Sequence, residues 1–352
     1  MPAGFIWCHH LAVDYRLIRE MRECLHHVGV SAVEILVVPR TEMDSAVRLD
    51  GQCPVAIQLC SIPAICRRAS RLAYTRSTSD ENIWRIEISS PRGKVNPPTK
   101  FISSTRGEAD ARYSPDGKKI AFASNRSGSM EIWVCDADGS NARQLTHFGR
   151  GHAVDARWSP DSGHLAFDSN IEGHPEVYVV DAGGGNPRRL TFSSGSENPS
   201  WSKDGRWIYF NSMKRAIQKV PAEGGPVELV RSNAPGFAPV ESADGGSFFV
   251  TGAGSDVCLW RVPVEGGAPT QVLASIVHYD AKEDGIYFIR TPDPATSYIL
   301  RFLDFATGRT KTVAELGTQP CGTFSISPDR RWALYSQVNQ SGSDLMLVEN
   351  FR

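Results

Sequence analysis

Ala111-Arg112-Tyr113-Ser114-Pro115-Asp116-Gly117, followed at once by Lys118-Lys119-Ile120-Ala121-Phe122-Ala123-Ser124, decides the fold. It reads as strand, tight turn, strand. Tyr113 suits a pleated, half-buried surface. Pro115 presets φ for the turn, Asp116 can bond its own backbone, and Gly117 accepts positive φ. One such hairpin would say little. This one recurs.

Moving outward, the same stretch leads to Glu131-Ile132-Trp133-Val134-Cys135-Asp136, a turn at Asp138-Gly139, and Arg143-Gln144-Leu145-Thr146. That is four strand-like runs. The next copy has Trp158-Ser159-Pro160-Asp161, Leu165-Ala166-Phe167-Asp168-Ser169, Val177-Tyr178-Val179-Val180-Asp181 and Arg188-Arg189-Leu190-Thr191. Further copies turn at Asp204, Asp244 and Asp284, and the last at Pro328-Asp329. The aspartates from Asp116 to Asp329 are spaced 45, 43, 40, 40 and 45 residues apart. Four strands in a unit of 40–45 residues is the period of a propeller blade. Runs such as Ile-Ala-Phe and Val-Tyr-Val-Val are apolar on both faces, as a sheet packed between two neighbours requires.

The ends read differently. Arg71–Arg76, Asn82–Glu87 and Thr99–Ile102 are three strand-like runs, expected to form a first blade lacking one strand. The last copy stops at its third strand, Leu345–Val348, so ring closure must borrow an N-terminal strand or stay imperfect. Residues 1–70 carry no turn signature. They hold a helical stripe (Leu11, Leu17, Ile18, Met21, Leu25, Val28), an apolar run Val33–Val38, five of the eight cysteines and four of the nine histidines. Two readings stay open for this segment: a non-native, truncated or frame-altered stretch up to about Arg68, or a terminal cap. The expected organisation is 1–70 atypical segment and 71–352 all-β propeller, with six or seven blades of four antiparallel strands.

Composition excludes several function classes. A net charge of -1 gives no global basic field. Basic loop residues (Arg126, Arg143, Arg150, Arg188, Arg189, Arg206, Lys214, Arg215) are interleaved with acids, so direct nucleic-acid binding is not expected. No apolar run reaches the ~18 residues of a membrane span, and Asp14, Arg16, Arg19 and Glu20 interrupt any signal-peptide core. No cysteine or histidine spacing matches a metal site, so unbridged thiols and no metal are expected. Gly183-Gly184-Gly185 lies between two strands and is a hairpin turn, not a phosphate loop. No Gly-x-Ser-x-Gly elbow or His-Glu-x-x-His is found, and no cofactor or enzyme activity is expected.

The units resemble the Pro-Asp variant of the WD-type repeat found in TolB and its relatives. Tyr113–Gly117 with Ile120–Arg126, and Trp158–Asp161 with Val177–Asp181 and Arg189–Thr191, carry the resemblance over about 71–349. It implies a non-enzymatic scaffold for a protein or peptide partner, periplasmic if like those relatives, and here expected to be a monomer. The Arg-Leu-Ala-Tyr-Thr-Arg-Ser entry and the Leu-Met-Leu-Val-Glu-Asn-Phe-Arg ending also resemble the C-terminal propeller of bacterial winged-helix regulators. That implies a sensory domain as an alternative; a propeller half of a prolyl-oligopeptidase-like hydrolase is a third.

Blade geometry nominates the site. Loops entering each innermost strand open beside the central channel, and rigid blades hold them there. They carry Glu108, Asp110 and Arg112; His152, Asp155 and Arg157; then Glu197 and Asn198, with Ser200 beyond. Later blades lose this polarity, with Phe237, Ala238, Pro239 and Val240, then Cys321, Gly322 and Thr323. A charged mouth on the early-blade side is expected to bind the partner.

Overall fold

In the Ser-Pro-Asp-Gly turn, the Ser114 hydroxyl donates to Asp116 Oδ1 (2.6 Å) and accepts from Lys119 N–H (2.9 Å), while Lys118 N–H donates to Asp116 Oδ1 (3.0 Å). Gly117 takes φ 71°. The serine–aspartate pair repeats as Ser159–Asp161, Ser202–Asp204, Ser242–Asp244 and Ser327–Asp329. These aspartates therefore hold hairpins shut, and their hydroxyl bonds lower the carboxyl pKa of Asp116, Asp161, Asp204 and Asp244. Asp284 differs from that expectation. Its turn has no serine: Lys282 pairs directly with Gly285, and Asp284 instead accepts from Arg330 at 2.5 Å.

The computed structural model describes residues 64–66, 71–88, 96–193, 195–212, 215–252, 257–290, 297–317 and 319–349. The helical stripe and the Val33–Val38 run expected near the N-terminus lie outside the described residues. Residues 79–341 form one unit, an all-β propeller of six four-stranded antiparallel blades. The innermost strands, blades 1 to 6, are Glu108–Tyr113, Ala153–Trp158, Ser196–Trp201, Gly236–Glu241, Ile276–Lys282 and Pro320–Ile326. In a second unit, Ala64–Cys66 pairs with the start of the strand Arg71–Glu87, in register Ala64↔Ala73.

The terminal runs do not build a seventh blade. Arg71–Glu87 is one continuous strand, since no Gly or Pro interrupts it, and it pairs with Trp332–Glu349. Thr99–Ile102 adds to its other edge, in register Ile83↔Ile102. Blade 6 thus takes two strands from each end of the propeller sequence, and the Trp84 indole donates to Asn339 Oδ1 at 3.0 Å across a separation of 255 residues. The run Leu345–Val348 is the continuation of blade 6's second strand.

Six apolar clusters lie one at each blade–blade junction. Ile120, Phe122 and Ala111 of blade 1 meet Ile83, Ile102 and Leu334 of blade 6; Leu165, Phe167 and Tyr178 of blade 2 meet Ile132 and Val134 of blade 1. Each fully buried Phe or Ile contributes about 1.5–3 kcal/mol by leaving water. Polar bonds fix the angle between blades: the Trp158 indole donates to the Arg112 carbonyl (3.0 Å) and the Trp201 indole to the Arg157 carbonyl (2.9 Å). Among the described residues no helix is long and apolar enough to cross a membrane.

Candidate functional site

The site begins with a backbone device. Four innermost strands carry a β-bulge whose first residue is left-handed: Asp110 (φ 56°), Asp155 (φ 54°), Asn198 (φ 55°) and Ala238 (φ 53°), and Gly322 (φ 65°) repeats it in blade 6. Such a conformation costs a non-glycine residue about 1–2 kcal/mol, and a bulge re-aims a side chain. Blade 5 carries a one-residue bulge between Ile276 and His278 instead. Around the axis, equivalent positions therefore present Asp, Asp, Asn, Ala, a His278–Tyr279 pair and Gly.

The residue across the bulge on the second strand supports the next blade. Asp168 Oδ1 accepts from Asn198 N–H (3.3 Å), and Asn211 Oδ1 accepts from Ala238 N–H (2.6 Å). Ser336 holds the same place beside blade 1. Its Oγ and Asp110 Oδ1 both lie 3.2 Å from the point that a Cβ on Gly322 would occupy.

These placements gather carboxyl groups. The Asp110 pKa is pushed up to about 7 by burial, by Asp155 and by Glu81, against the opposing pull of Arg112 and Arg157. Asp168, 5 % exposed, is raised well above the usual carboxylate range by burial and by Asp155, Glu197 and Asp110. Burial and then Asp155 raise Glu197. An arc of acids thus runs from Glu81 in blade 6 through blades 1 and 2 to Glu197 in blade 3. Arg112 and Arg157 stand two residues further along their strands. The Arg112 guanidinium is lowered to about 10 by burial and by Arg157, and Arg112 Nη1 donates to the Phe324 carbonyl at 3.4 Å. From blade 5, Tyr279 is raised to about 12 by burial, against Arg157 and Arg112, while burial and Arg112 bring His278 down to about 4.

Of the residues nominated from sequence, Asp110, Arg112, Asp155, Arg157 and Glu197 fall into one electrostatic group. Asn198 supplies the N–H that holds Asp168. His152 is half-buried at the loop end, its N–H on Asn170 Oδ1 at 2.8 Å. Glu108 stands apart: it is 0 % exposed, accepts from Ser104 N–H (3.0 Å) and the Ser124 hydroxyl (3.3 Å), and pairs with Arg126 at 3.1 Å. It anchors the loop from beneath. Sequence reasoning missed Asp168, Glu81, His278, Tyr279 and Asp280, the last a blade 5 acid that opposes the lowering of Arg112. The signal for Asp168 was present as an acid in the otherwise apolar run Leu165-Ala166-Phe167, at the place where blade 1 has Ala123.

The fold is a six-bladed propeller whose innermost strands gather one group of charged residues. A family model described as the TolB beta propeller domain matches residues 50–275, and the chain belongs to that family. The match reaches into the segment read as atypical. Among curated relatives, the Tol-Pal system protein TolB of Hahella chejuensis is 36 % identical over 82 residues, 23 % of this chain and 19 % of that protein. An uncharacterized peptidase, YuxL, of Bacillus subtilis is 28 % identical over 97 residues, 25 % of this chain and 14 % of that protein. The chain thus spans under a fifth of the length of these curated relatives. Among solved structures, the putative TolB from Agrobacterium tumefaciens superposes with TM-score 0.60 at 19 % identity, covering 75 % of this chain and 99 % of that one.

Proposed function

We propose that this chain is a non-enzymatic propeller scaffold that binds a protein or peptide at the axial mouth. The carrying observation is the convergence of Asp110, Asp155, Asp168 and Glu197 with Arg112 and Arg157 on one opening, from rigid strands of three blades. Holding several like charges together is unfavourable for folding alone. Charged groups kept at a concave mouth despite that cost mark a binding surface. Membership of the TolB propeller family supports the same reading. The peptidase-like relative supports the hydrolase alternative at the level of the fold, and the regulator alternative has no observation of its own.

The test is a pull-down from a bacterial extract with the immobilised chain, its Asp110→Ala and Arg157→Ala variants, and Asp116→Ala as a control on the opposite end of the blade. Partner recovery is expected to fall at least tenfold for the two mouth variants and to persist for the control. Undiminished recovery would refute this face. Light scattering on the free chain is expected to report a monomer.

A further inference from the structure

The mouth carries more charge than it pairs. Among the described residues the carboxylates of Asp110, Asp155 and Glu197 accept no hydrogen bond from the protein, and the Arg157 guanidinium donates none, its Nε being buried without a partner. Ser336, 0 % exposed, has an Oγ that is likewise unpartnered and lies beside Asp110 Oδ1 at the Gly322 bulge. Buried polar groups in folded proteins are ordinarily satisfied, so the buried Arg157 Nε and Ser336 Oγ, beside half-buried carboxylates that the protein leaves unpaired, are suited to groups brought from outside.

The charges are also layered. Asp110 and Arg112 lie on one strand, Asp155 and Arg157 on the next, each pair two residues apart. Innermost strands run along the channel, so each guanidinium stands further along its strand than the carboxylate at the bulge. An extended peptide places side chains i and i+2 on one side, about 6–7 Å apart. The far side adds Phe237 and Ala238 of blade 4 and Tyr279 of blade 5, with Asp280 of blade 5 acting electrostatically on Arg112.

We propose that the mouth recognises an extended peptide segment of alternating charge, its carboxylate seated at Arg112 and Arg157 and an ammonium group two residues away held by Asp110, Asp155 and Glu197. This rests on the mouth being the peptide site. A guanidinium offers a carboxylate two parallel donors, and an ammonium offers three donors to the unpaired carboxylates. The carboxylate has two chemical sources, an acidic side chain or a chain terminus.

Fluorescence anisotropy with a labelled, acetylated and amidated peptide Gly-Glu-Gly-Lys-Gly tests this. Its companions replace Lys with norleucine, replace Glu with Gln, or end in a free carboxylate in place of the Glu side chain. The doubly charged peptide is expected to bind at least tenfold tighter than either singly charged one. The free-terminus peptide binding as tightly would assign the carboxylate to a chain end; binding like the Gln peptide would assign it to a side chain. Asp155→Asn is expected to erase the preference for Lys over norleucine while keeping that for Glu over Gln, and Arg157→Gln the reverse. Asparagine and glutamine remove charge at nearly constant shape, and a thermal melt verifies the fold of each variant. Equal affinities across the panel, or both preferences lost together in both variants, would overturn the inference. If Arg157→Ala still abolishes partner capture while the panel is flat, only the ligand chemistry falls; if capture is unchanged, the mouth itself is wrong.

Discussion

Asp110→Asn should make the protein more stable at pH 8 and leave it unchanged near pH 4. The left-handed backbone poses no obstacle, because Asn198 occupies the equivalent bulge at φ 55° against 56° for Asp110. The side chain keeps its shape, so the change removes a charge from a crowded acidic arc. Its folded-state pKa is about 7, against 3.8 for the free side chain. Below about pH 4 the carboxyl is protonated both folded and unfolded and imposes no penalty. As pH rises toward 7 the unfolded chain releases the proton and the folded chain retains it, so stability falls; above 7 the loss is constant. At 1.36 kcal/mol per pKa unit the ceiling is about 4 kcal/mol. The raised carboxyls of Asp168 and Glu197 share the arc with Asp110, and Asp110 is only half-buried, so about 1–2 kcal/mol is expected. Urea unfolding followed by tryptophan fluorescence at pH 4 and pH 8 measures it as a midpoint shift. No gain at pH 8, or an equal gain at both pH values, would refute the electrostatic account of the arc.

Three further outcomes follow from other parts of the molecule. Ser202→Ala removes the hydroxyl that donates to Asp204 (2.7 Å) and accepts from Trp207 N–H (2.9 Å), and should cost about 1–2 kcal/mol in urea. The hydroxyl, with the Arg206 N–H and guanidinium, holds Asp204 down at about 2, so its contribution is present above pH 4 and lost as pH falls through 2; the variant's acid-unfolding midpoint should move to higher pH. Gly322→Val puts a β-branched side chain at φ 65° with its Cβ 3.2 Å from Asp110 Oδ1 and Ser336 Oγ, and should destabilise by about 2–3 kcal/mol, read as a lower melting temperature. Deleting residues 71–102 removes half of blade 6 and bares the edge of Trp332–Glu349; size-exclusion chromatography should show aggregates, and a cooperative monomeric melt would contradict the ring closure.

The fold was legible because its information is local and repeated. A serine, an aspartate and a glycine within four residues close a hairpin by themselves, and five repetitions of the serine–aspartate pair show it. Blade 6 was not legible in the same way. Its strands come from both ends of the propeller, and neither Arg71–Glu87 nor Trp332–Glu349 carries a mark naming its partner; only the missing strands hinted at it. At the site, five of the eight nominated residues share one electrostatic group because Asp110 and Asp155 sit at the bulges of neighbouring innermost strands, with Arg112 and Arg157 two residues further along. Glu108 would fall with them by count in an unbroken strand, but the bulge between Ala109 and Arg112 breaks the two-residue period. Left-handed bulges at Asp and Asn leave only a weak trace in sequence, and at Ala238 none. Asp168 reaches the mouth from a second strand, a contact that depends on how neighbouring blades stack.

The composite blade sets a timetable. The strands Arg71–Glu87 and Thr99–Ile102 leave the ribosome first, yet Trp84 meets Asn339 only 255 residues later. At synthesis rates of roughly 5–20 residues per second, the early strands wait about 15–50 s with both edges open. Blades 1 to 5 need only their own hairpins and can condense in turn, so the ring assembles as an open arc and locks in one late event. During that interval the newborn protein is most exposed to mispairing with a neighbour's strand, and the axial mouth does not yet exist. The proposed binding is therefore coupled to completion: a chain stalled before Pro320 would own nearly every charged residue of the group and still lack Gly322 and Ser336, which close in beside Asp110.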